Sequence, residues 1–360
     1  MHTARVTLGE PPPDELVGAV LTRDITIAGE RWSKGRRLSR ADLDLLSAPR
    51  RPGDSGPRLR GMAPGEAVWV TVLVLDPGDL HEDEAACRLA AAVGGTGTTL
   101  RGPKESRVDL VAATDGVVRV RVSALERLNR IDPLEVFTVF DGQVVRAGDL
   151  VASVKVAPHV VAASVVARGE RIAAASGLVS VASFAAKRVA VLVKETVVGQ
   201  ARERFEKSVR QKIEGLGSAI VAIVYVEDDP DAVRSALRPF VRGAGAVDLV
   251  LTAGGASTDP EDPFFVALNG LGGRVLRHGV PAHPGSMLWL GRAGRTTLLG
   301  LPTCGAYSRA TAADLLIPRL LAGEPPTAAT VAKLGHGGVL GREMRFRFPA
   351  YALDLDAPEG

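Results

Sequence analysis

A first group of residues that could do chemistry lies in the stretch TAGGASTDPEDP, which runs from Thr252 to Pro263 directly after an apolar segment. Gly254 and Gly255 carry no side chains, so their backbone N–H groups can approach a ligand closely. Ser257 and Thr258 add two hydroxyl donors. Consecutive amides that lead into a helix favour an anion. The stretch therefore predicts a pocket for a negatively charged ligand.

The second half of the same stretch is acidic, with Asp259, Glu261 and Asp262. These carboxylates would repel a phosphate unless a cation such as Mg²⁺ bridged them. They also have a purely structural explanation, because an Asp followed by Pro is a helix N-cap followed by the residue preferred at the first helical position. Both interpretations stay open from the sequence. The chain contains neither of the glycine motifs GxxxxGK[ST] and GxGxxG.

A second segment that contains a potentially reactive residue is GLPTCGAYS, from Gly300 to Ser308. It also follows an apolar run. It contains Cys304, whose thiol would need a histidine partner or strong local activation to act as a nucleophile. His278 and His283 come from the same region, but the sequence fixes no distance between them and the thiol. The role of Cys304 stays open.

The elements around both segments alternate between strand and helix. Apolar runs at 188–193, 219–226 and 247–251 predict strands, and apolar periodicity at 199–216 and 230–241 predicts helices. A helix at 264–271, strands at 273–276, 287–290 and 296–301, and a helix capped by Ser308 are predicted to follow. This alternation is typical of a Rossmann-like, three-layer α/β domain with a parallel sheet, whose ligands bind beyond the carboxyl ends of the strands.

The N-terminal half reads as β-rich. A hairpin is predicted around Gly29, a strand at 67–75 and a helix capped by Asp79, whereas REMRFRF near the C-terminus is predicted to be a strand. A Pro-, Gly- and Arg-rich linker separates the first strands from the rest, and the role of its basic part, residues 50–60, stays open. We expect four segments: 1–65, 66–180, a ligand-binding α/β domain at 185–324, and a C-terminal tail at 325–360.

Composition narrows the function classes. The 360 residues are 46% hydrophobic but only 4% aromatic, and the net charge is +3. Few aromatic residues and a mild charge argue against a nucleic-acid partner. No signal peptide and no apolar run long enough to span a membrane are visible, and the two cysteines lie far apart. We therefore expect a cytoplasmic protein without a membrane partner.

Three motifs in order resemble the molybdopterin-binding domain of the molybdopterin molybdotransferase family: DLVLTAGGAS, LGGRVLRHGVPAHPGSMLWLGR and LLGLPTCGAYSRATAADLLIPRLLAGE. The resemblance runs from about Lys187 to Glu324. It implies molybdenum cofactor biosynthesis, in which a transferase inserts molybdate into adenylylated molybdopterin with Mg²⁺ and releases AMP, often as a homodimer. The residues that it assigns to molybdopterin are Gly254, Gly255, Ala256, Ser257, Thr258, Pro302 and Thr303. It assigns catalysis and Mg²⁺ binding to Asp262.

The chain departs from the family pattern at three places, one of which is the Asp-Gly-Tyr-Ala segment expected in the N-terminal half, which is absent. His283-Pro284-Gly285-Ser286 stands where the family has Lys-Pro-Gly-Lys, and Thr303-Cys304-Gly305 replaces Gly-Asn-Pro. The departures remove two fixed cations, so the ligand class is better supported than the reaction. The alternative is a non-catalytic protein that binds or delivers molybdopterin or the cofactor. A nucleotide hydrolase on the same domain, as in competence-damage proteins, is a further alternative.

Overall fold

The computed structural model of the chain describes residues 1–27, 29–48, 69–104, 106–174, 176–194, 199–255, 257–301 and 310–353. The strands are β1 (His2–Thr7), β2 (Val20–Leu21), β3 (Ile25–Ile27), β4 (Glu30–Trp32), β5 (Trp69–Val74), β6 (Asp79–His81), β7 (Thr98–Lys104), β8 (Arg107–Ala112), β9 (Gly116–Val120), β10 (Leu134–Thr138), β11 (Val144–Val145), β12 (Leu150–Val156), β13 (Val160–Ala162), β14 (Val179–Ser183), β15 (Arg188–Val193), β16 (Ala219–Tyr225), β17 (Leu249–Ala253), β18 (Arg274–His278), β19 (Trp289–Ala293) and β20 (Thr296–Gly300).

The helices are α1 (Arg40–Ser47), α2 (Glu82–Val93), α3 (Val122–Asn129), α4 (Ala163–Ala173), α5 (Gln200–Glu214), α6 (Pro230–Val241), α7 (Pro263–Gly270), α8 (Ala312–Leu321), α9 (Ala328–Ala332) and α10 (Ala350–Leu353). Short 3-10 turns occupy Asp14–Leu16 and Arg342–Arg347. In the part of the chain that the structure describes, no helix combines the length and the apolar character needed to cross a bilayer.

The chain forms two compact units that are interleaved in sequence. The first contains residues 1–113, 120–139 and 148–180, and the second contains 114–119, 140–147 and 181–360. An ion-pair network joins the early segments of the second unit to its late helix α8. The buried Arg319 guanidinium donates to Asp141 Oδ2 (3.1 Å) and to Glu324 (3.1 Å), and Arg119 also pairs with Glu324. The division into four segments stays a prediction.

The first unit is built from antiparallel sheets. Strands β1, β5 and β2 form one sheet, β10, β12, β8 and β7 form another, and β3 pairs with β4 in the hairpin predicted around Gly29. Trp32 at the end of that hairpin is 1% exposed and lies in a core with Leu21, Ile25 and Leu43. This unit is the β-rich region that the sequence predicted.

The second unit contains a six-stranded sheet in the order β16-β15-β17-β20-β19-β18. The first four strands are parallel, whereas β19 runs antiparallel to β20 and β18 antiparallel to β19. Alternate residues of β15 point to opposite faces: Val189 and Val191 pack in the core with α5 and α8, whereas Ala190 and Leu192 pack in the core with α6 and α7. The domain is therefore the predicted three-layer α/β fold, with a mixed rather than wholly parallel sheet.

Three local predictions were wrong. The N-cap of α2 is His81, because β6 pairs with β13 through His81 itself, so the helix begins only at Glu82. The N-cap of α8 is Thr311, which forms a reciprocal capping box with Asp314, whereas Ser308 lies outside the described residues. REMRFRF is a 3-10 turn at Arg342–Arg347, where the buried Arg347 donates to the Gly337 carbonyl.

Candidate functional site at the carboxyl edge of the parallel strands

The carboxyl ends of the parallel strands meet at one edge of the six-stranded sheet, where open α/β sheets bind ligands. Lys194 follows β15, Asp228 lies shortly after β16, and Gly254 follows β17. Leu301 follows β20 and donates its N–H to the carbonyl of Thr252 (2.7 Å). We call the described residues at this edge, Lys194, Asp228, Gly254, Gly255, Ser257, Thr258 and Asp262, the carboxyl-edge site.

The glycine bend after β17 is accessible. Gly254 has φ +82°, a left-handed conformation that favours glycine, and Gly254 and Gly255 are both half-buried. A Cβ atom at Gly255 would lie 3.2 Å from the Phe264 ring and 3.6 Å from Asp262 Oδ2, so this bend has little room for a side chain. Ser257 is half-buried and Thr258 is exposed, whereas Ala256 lies outside the described residues.

Asp262 is buried and has a structural role. It is 2% exposed, and as the N-cap of α7 its Oδ1 accepts the Phe264 N–H at 2.9 Å, with Pro263 at the first helical position. Asp259 accepts the Glu261 N–H at 2.9 Å in the preceding turn. The capping interpretation of Asp262 is therefore confirmed, and its predicted catalytic role stays a prediction.

Lys194 is the residue that sequence reasoning missed. Its backbone N–H donates to Ala253, and its buried ammonium donates to Asp262 Oδ2 (2.7 Å) and forms an ion pair with Asp228 Oδ1 (2.9 Å). Burial lowers the pKa of this ammonium, but the bonds to Asp262 and Asp228 outweigh burial and hold the pKa above its ordinary value of 10.5. The signal that could have identified it is a single cation directly after the wholly apolar strand VAVLV.

The described residues around Asp262 do not fit a magnesium ion. Mg²⁺ requires a near-octahedral set of oxygen ligands. Both oxygens of Asp262 already accept hydrogen bonds, and the neighbouring ammonium would repel a divalent cation. Within the described ranges, no group of three or more His, Cys, Asp or Glu side chains could hold a metal. Among the described residues, the charge of the Asp262 carboxylate is therefore balanced by the Lys194 ammonium and not by a metal ion.

The other residues that the sequence singled out either lie outside the described residues or make contacts of their own. Pro302, Thr303 and Cys304 lie outside the described residues. Gly300, just before them, lies against the indole of Trp289, which leaves no room for a Cβ atom. His283 is exposed, and its backbone bonds to Gly338 and Leu340. The ring of His278 packs edge-on against Phe265 with centroids 5.1 Å apart.

Residues 188–322 match the family model described as "Probable molybdopterin binding domain". This segment, which is less than half of the chain, is similar to that domain family. No curated protein matches the chain. The match supports molybdopterin as the ligand and a role in molybdenum cofactor biosynthesis.

Solved structures with detectable similarity include the molybdopterin biosynthesis enzyme MoaB of Thermus thermophilus, at 24% identity, covering 42% of this chain and 97% of that one, with a TM-score of 0.27. The molybdopterin biosynthesis MoeA protein of Pyrococcus horikosii is 14% identical, with 68% and 81% covered and a TM-score of 0.29. A molybdopterin biosynthesis protein of Mycobacterium abscessus is 15% identical, with 42% and 98% covered and a TM-score of 0.24. Because these TM-scores are low, the three structures support no conclusion about this chain beyond the match to the family model.

Proposed function

We propose that the chain binds molybdopterin at the carboxyl-edge site, with Gly254–Thr258 as the anion-binding loop and with Pro302 and Thr303 as further contacts. The observation that carries this proposal is the half-buried glycine bend beside the buried ammonium of Lys194. Backbone amides without side chains in front of them can donate to an oxyanion, and a fixed cation nearby favours its charge.

The charge balance of the site explains how an anion could enter. Lys194 faces two carboxylates, but they are not equivalent, because the Asp262 side chain is 2% exposed and the Asp228 side chain is 68% exposed. Water screens the exposed Asp228 carboxylate, so its pair with Lys194 contributes less than the buried pair with Asp262. A bound phosphate can therefore replace Asp228 as a partner of Lys194 while Asp262 stays in place. In this arrangement Lys194 keeps its ion pair with Asp262 and donates a further N–H to the phosphate, at a site where the lysines of the family's Lys-Pro-Gly-Lys segment are missing.

A second candidate function is the insertion of molybdate into adenylylated molybdopterin with release of AMP, with Asp262 as the catalytic residue. The position of Asp262 in the loop after GGAS favours it, because the resemblance places an acidic residue there. This reaction uses Mg²⁺, and the described residues around Asp262 do not fit that ion. The geometry therefore favours binding or delivery over insertion.

A homodimer stays a prediction, which light scattering would test.

Titration with molybdopterin under anaerobic conditions tests the binding function. Gly254→Ala places a Cβ at φ +82° in the loop, and we expect binding to weaken by about tenfold or more, the equivalent of one lost charge-assisted hydrogen bond. Gly243→Ala is the matched control, because Gly243 has φ +72° in a turn before β17 with open space around it. Equal affinities in the two variants, or no binding by the native chain, would overturn the proposal.

Asp228→Asn gives a second, opposite readout. Removing the exposed competitor for Lys194 should tighten molybdopterin binding, and weaker binding would contradict the exchange of Asp228 for phosphate.

A turnover assay separates the two functions. AMP release that requires molybdate and Mg²⁺ and is lost in Asp262→Asn, which keeps an acceptor for the Phe264 N–H, would favour insertion. Tight binding without AMP release favours the binding function. Hydrolysis of a pterin-free nucleotide would favour a nucleotide hydrolase instead.

A further inference from the structure

A cavity of about 300 Å³ lies at the opposite edge of the same sheet. It is lined by residues at the amino ends of β15, β17 and β20, including Lys187, Asp248 and Leu249, and by the end of α8 at Leu320. Arg292 and Arg295, from the β19–β20 hairpin, complete it. We call it the amino-edge cavity. Its volume is at the lower limit for a small-molecule site.

The two arginines carry charges that no described residue neutralises. The Nε of Arg292 donates to the Gly294 carbonyl at 3.0 Å, and Nη2 of Arg295 donates to the Ala246 carbonyl at 3.3 Å. Both partners are neutral, and neither guanidinium forms an ion pair within the described ranges. Guanidinium groups in this state retain N–H donors for an oxyanion.

The two acidic residues that line the cavity, Asp248 and Glu324, do not neutralise Arg292 and Arg295. Glu324 is already held by Arg119 and Arg319, and Asp248 accepts the Arg188 N–H at 2.9 Å and faces Lys187 at 3.9 Å. The positive charges of Arg292 and Arg295 therefore remain unbalanced when these ion pairs are taken into account.

Neighbouring strands concentrate the positive charge further. Arg292 is directly opposite Arg274 in the β18–β19 pairing, and like charges directly opposite each other destabilise a sheet. Arg188 Nη1 donates to the same Ala246 carbonyl as Arg295, also at 3.3 Å. An arrangement that brings like charges together costs free energy, and a bound anion would offset that cost.

We propose that the amino-edge cavity is a second binding site, for a small molecule that carries a phosphate-type oxyanion. The oxyanion is held by Arg292 and Arg295, and an apolar part of the ligand lies against Leu249, Leu320 and Leu321, which also line the cavity. This site is independent of the molybdopterin proposal, because it lies at the other end of β17, roughly 13 Å away for five residues of extended chain.

Calorimetric titration with inorganic phosphate at fixed ionic strength tests the site. The double variant Arg292→Gln and Arg295→Gln should bind phosphate at least about tenfold more weakly than the native chain, since it loses charge-assisted hydrogen bonds. Arg277→Gln is the matched control, because Arg277 is likewise exposed and donates to a carbonyl, that of Gly279, but lies outside the cavity. Circular dichroism would verify that each variant is folded.

Phenyl phosphate tests the apolar part of the site. It should bind more tightly than inorganic phosphate to the native chain, and its affinity should also fall at least about tenfold in the double variant, which loses the oxyanion contacts. Absence of phosphate binding by the native chain, unchanged affinity in the double variant, or an equal loss in Arg277→Gln would each overturn the proposal. Equal affinities for the two phosphates would overturn the assignment of the leucine residues. None of these results depends on whether molybdopterin binds.

Discussion

Lys194→Met should destabilise the second unit more than any exposed ion pair could. The side chains of Lys194 and Asp262 are 4% and 2% exposed, so the substitution leaves a buried carboxylate without its cation. Removing one partner of a buried pair costs about 3–5 kcal/mol. Asp262 retains the Phe264 N–H at 2.9 Å, and the pair with exposed Asp228 contributes little, so we expect a loss at the lower end, about 3 kcal/mol.

Native-state hydrogen exchange, followed by mass spectrometry on peptides from β15 and β17, measures this loss within the second unit. A double-mutant cycle with Asp262→Asn isolates the pair, because asparagine is neutral and still accepts the capping bond. Lys194→Met combined with Asp262→Asn should recover roughly 2 kcal/mol of the loss. Arg210→Met is the control, since the Arg210–Glu214 pair is about half exposed and contributes roughly 0.5 kcal/mol or less.

The pH dependence gives an independent check on the same pair. The pKa of Lys194 in the folded chain lies above its ordinary 10.5, so the ammonium stabilises the fold fully below pH 10.5, and this contribution is lost as the pH rises through the folded pKa. The difference between the native chain and Lys194→Met should therefore be constant from neutral pH to about 10 and shrink above it. A loss below about 1 kcal/mol, or additive effects in the cycle, would refute the reasoning.

Other predictions concern residues away from this pair. Burial and the Glu206 carboxylate raise the pKa of Tyr225 to about 12, so Glu206→Gln should lower the phenol pKa while leaving it above 10, as measured by phenolate absorbance. Gly300→Ala should lower the free energy of unfolding, measured by urea denaturation, by about 1–3 kcal/mol, because its Cβ would overlap the indole of Trp289. Adding Trp289→Leu should partly restore this stability. Ser39→Ala removes the capping box of α1 and should lower stability by about 1 kcal/mol, measured in the same denaturation experiment.

Local signals in the sequence predicted the second unit well. Asp262-Pro263 indicates the start of a helix, because the capping bond joins residues two positions apart and the proline lies at the first helical position. The apolar run at 188–193 by itself predicts the strand Arg188–Val193. Such features depend on neighbours along the chain, so a single sequence contains them.

The missed features depend on distant partners. Lys194 and Asp262 are 68 positions apart and meet only because β15 and β17 are adjacent in the sheet. His81 became an N-cap because its strand pairs with β13, which is far along the chain. The sequence likewise does not show that Arg292 lies opposite another positive charge, because its neighbour Arg274 is set by the pairing of β18 with β19. None of these pairings could be read from spacing.

The interleaving of the two units has a consequence for how the chain is made. Residues 114–119 and 140–147 leave the ribosome long before α8, yet Asp141 finds its partner Arg319 only when that helix has been synthesised. The second unit therefore cannot mature in simple N-to-C order. A fragment that begins at residue 181 would leave Arg319 without Asp141, so a recombinant ligand-binding domain should be designed from the entire polypeptide rather than cut out as a contiguous piece.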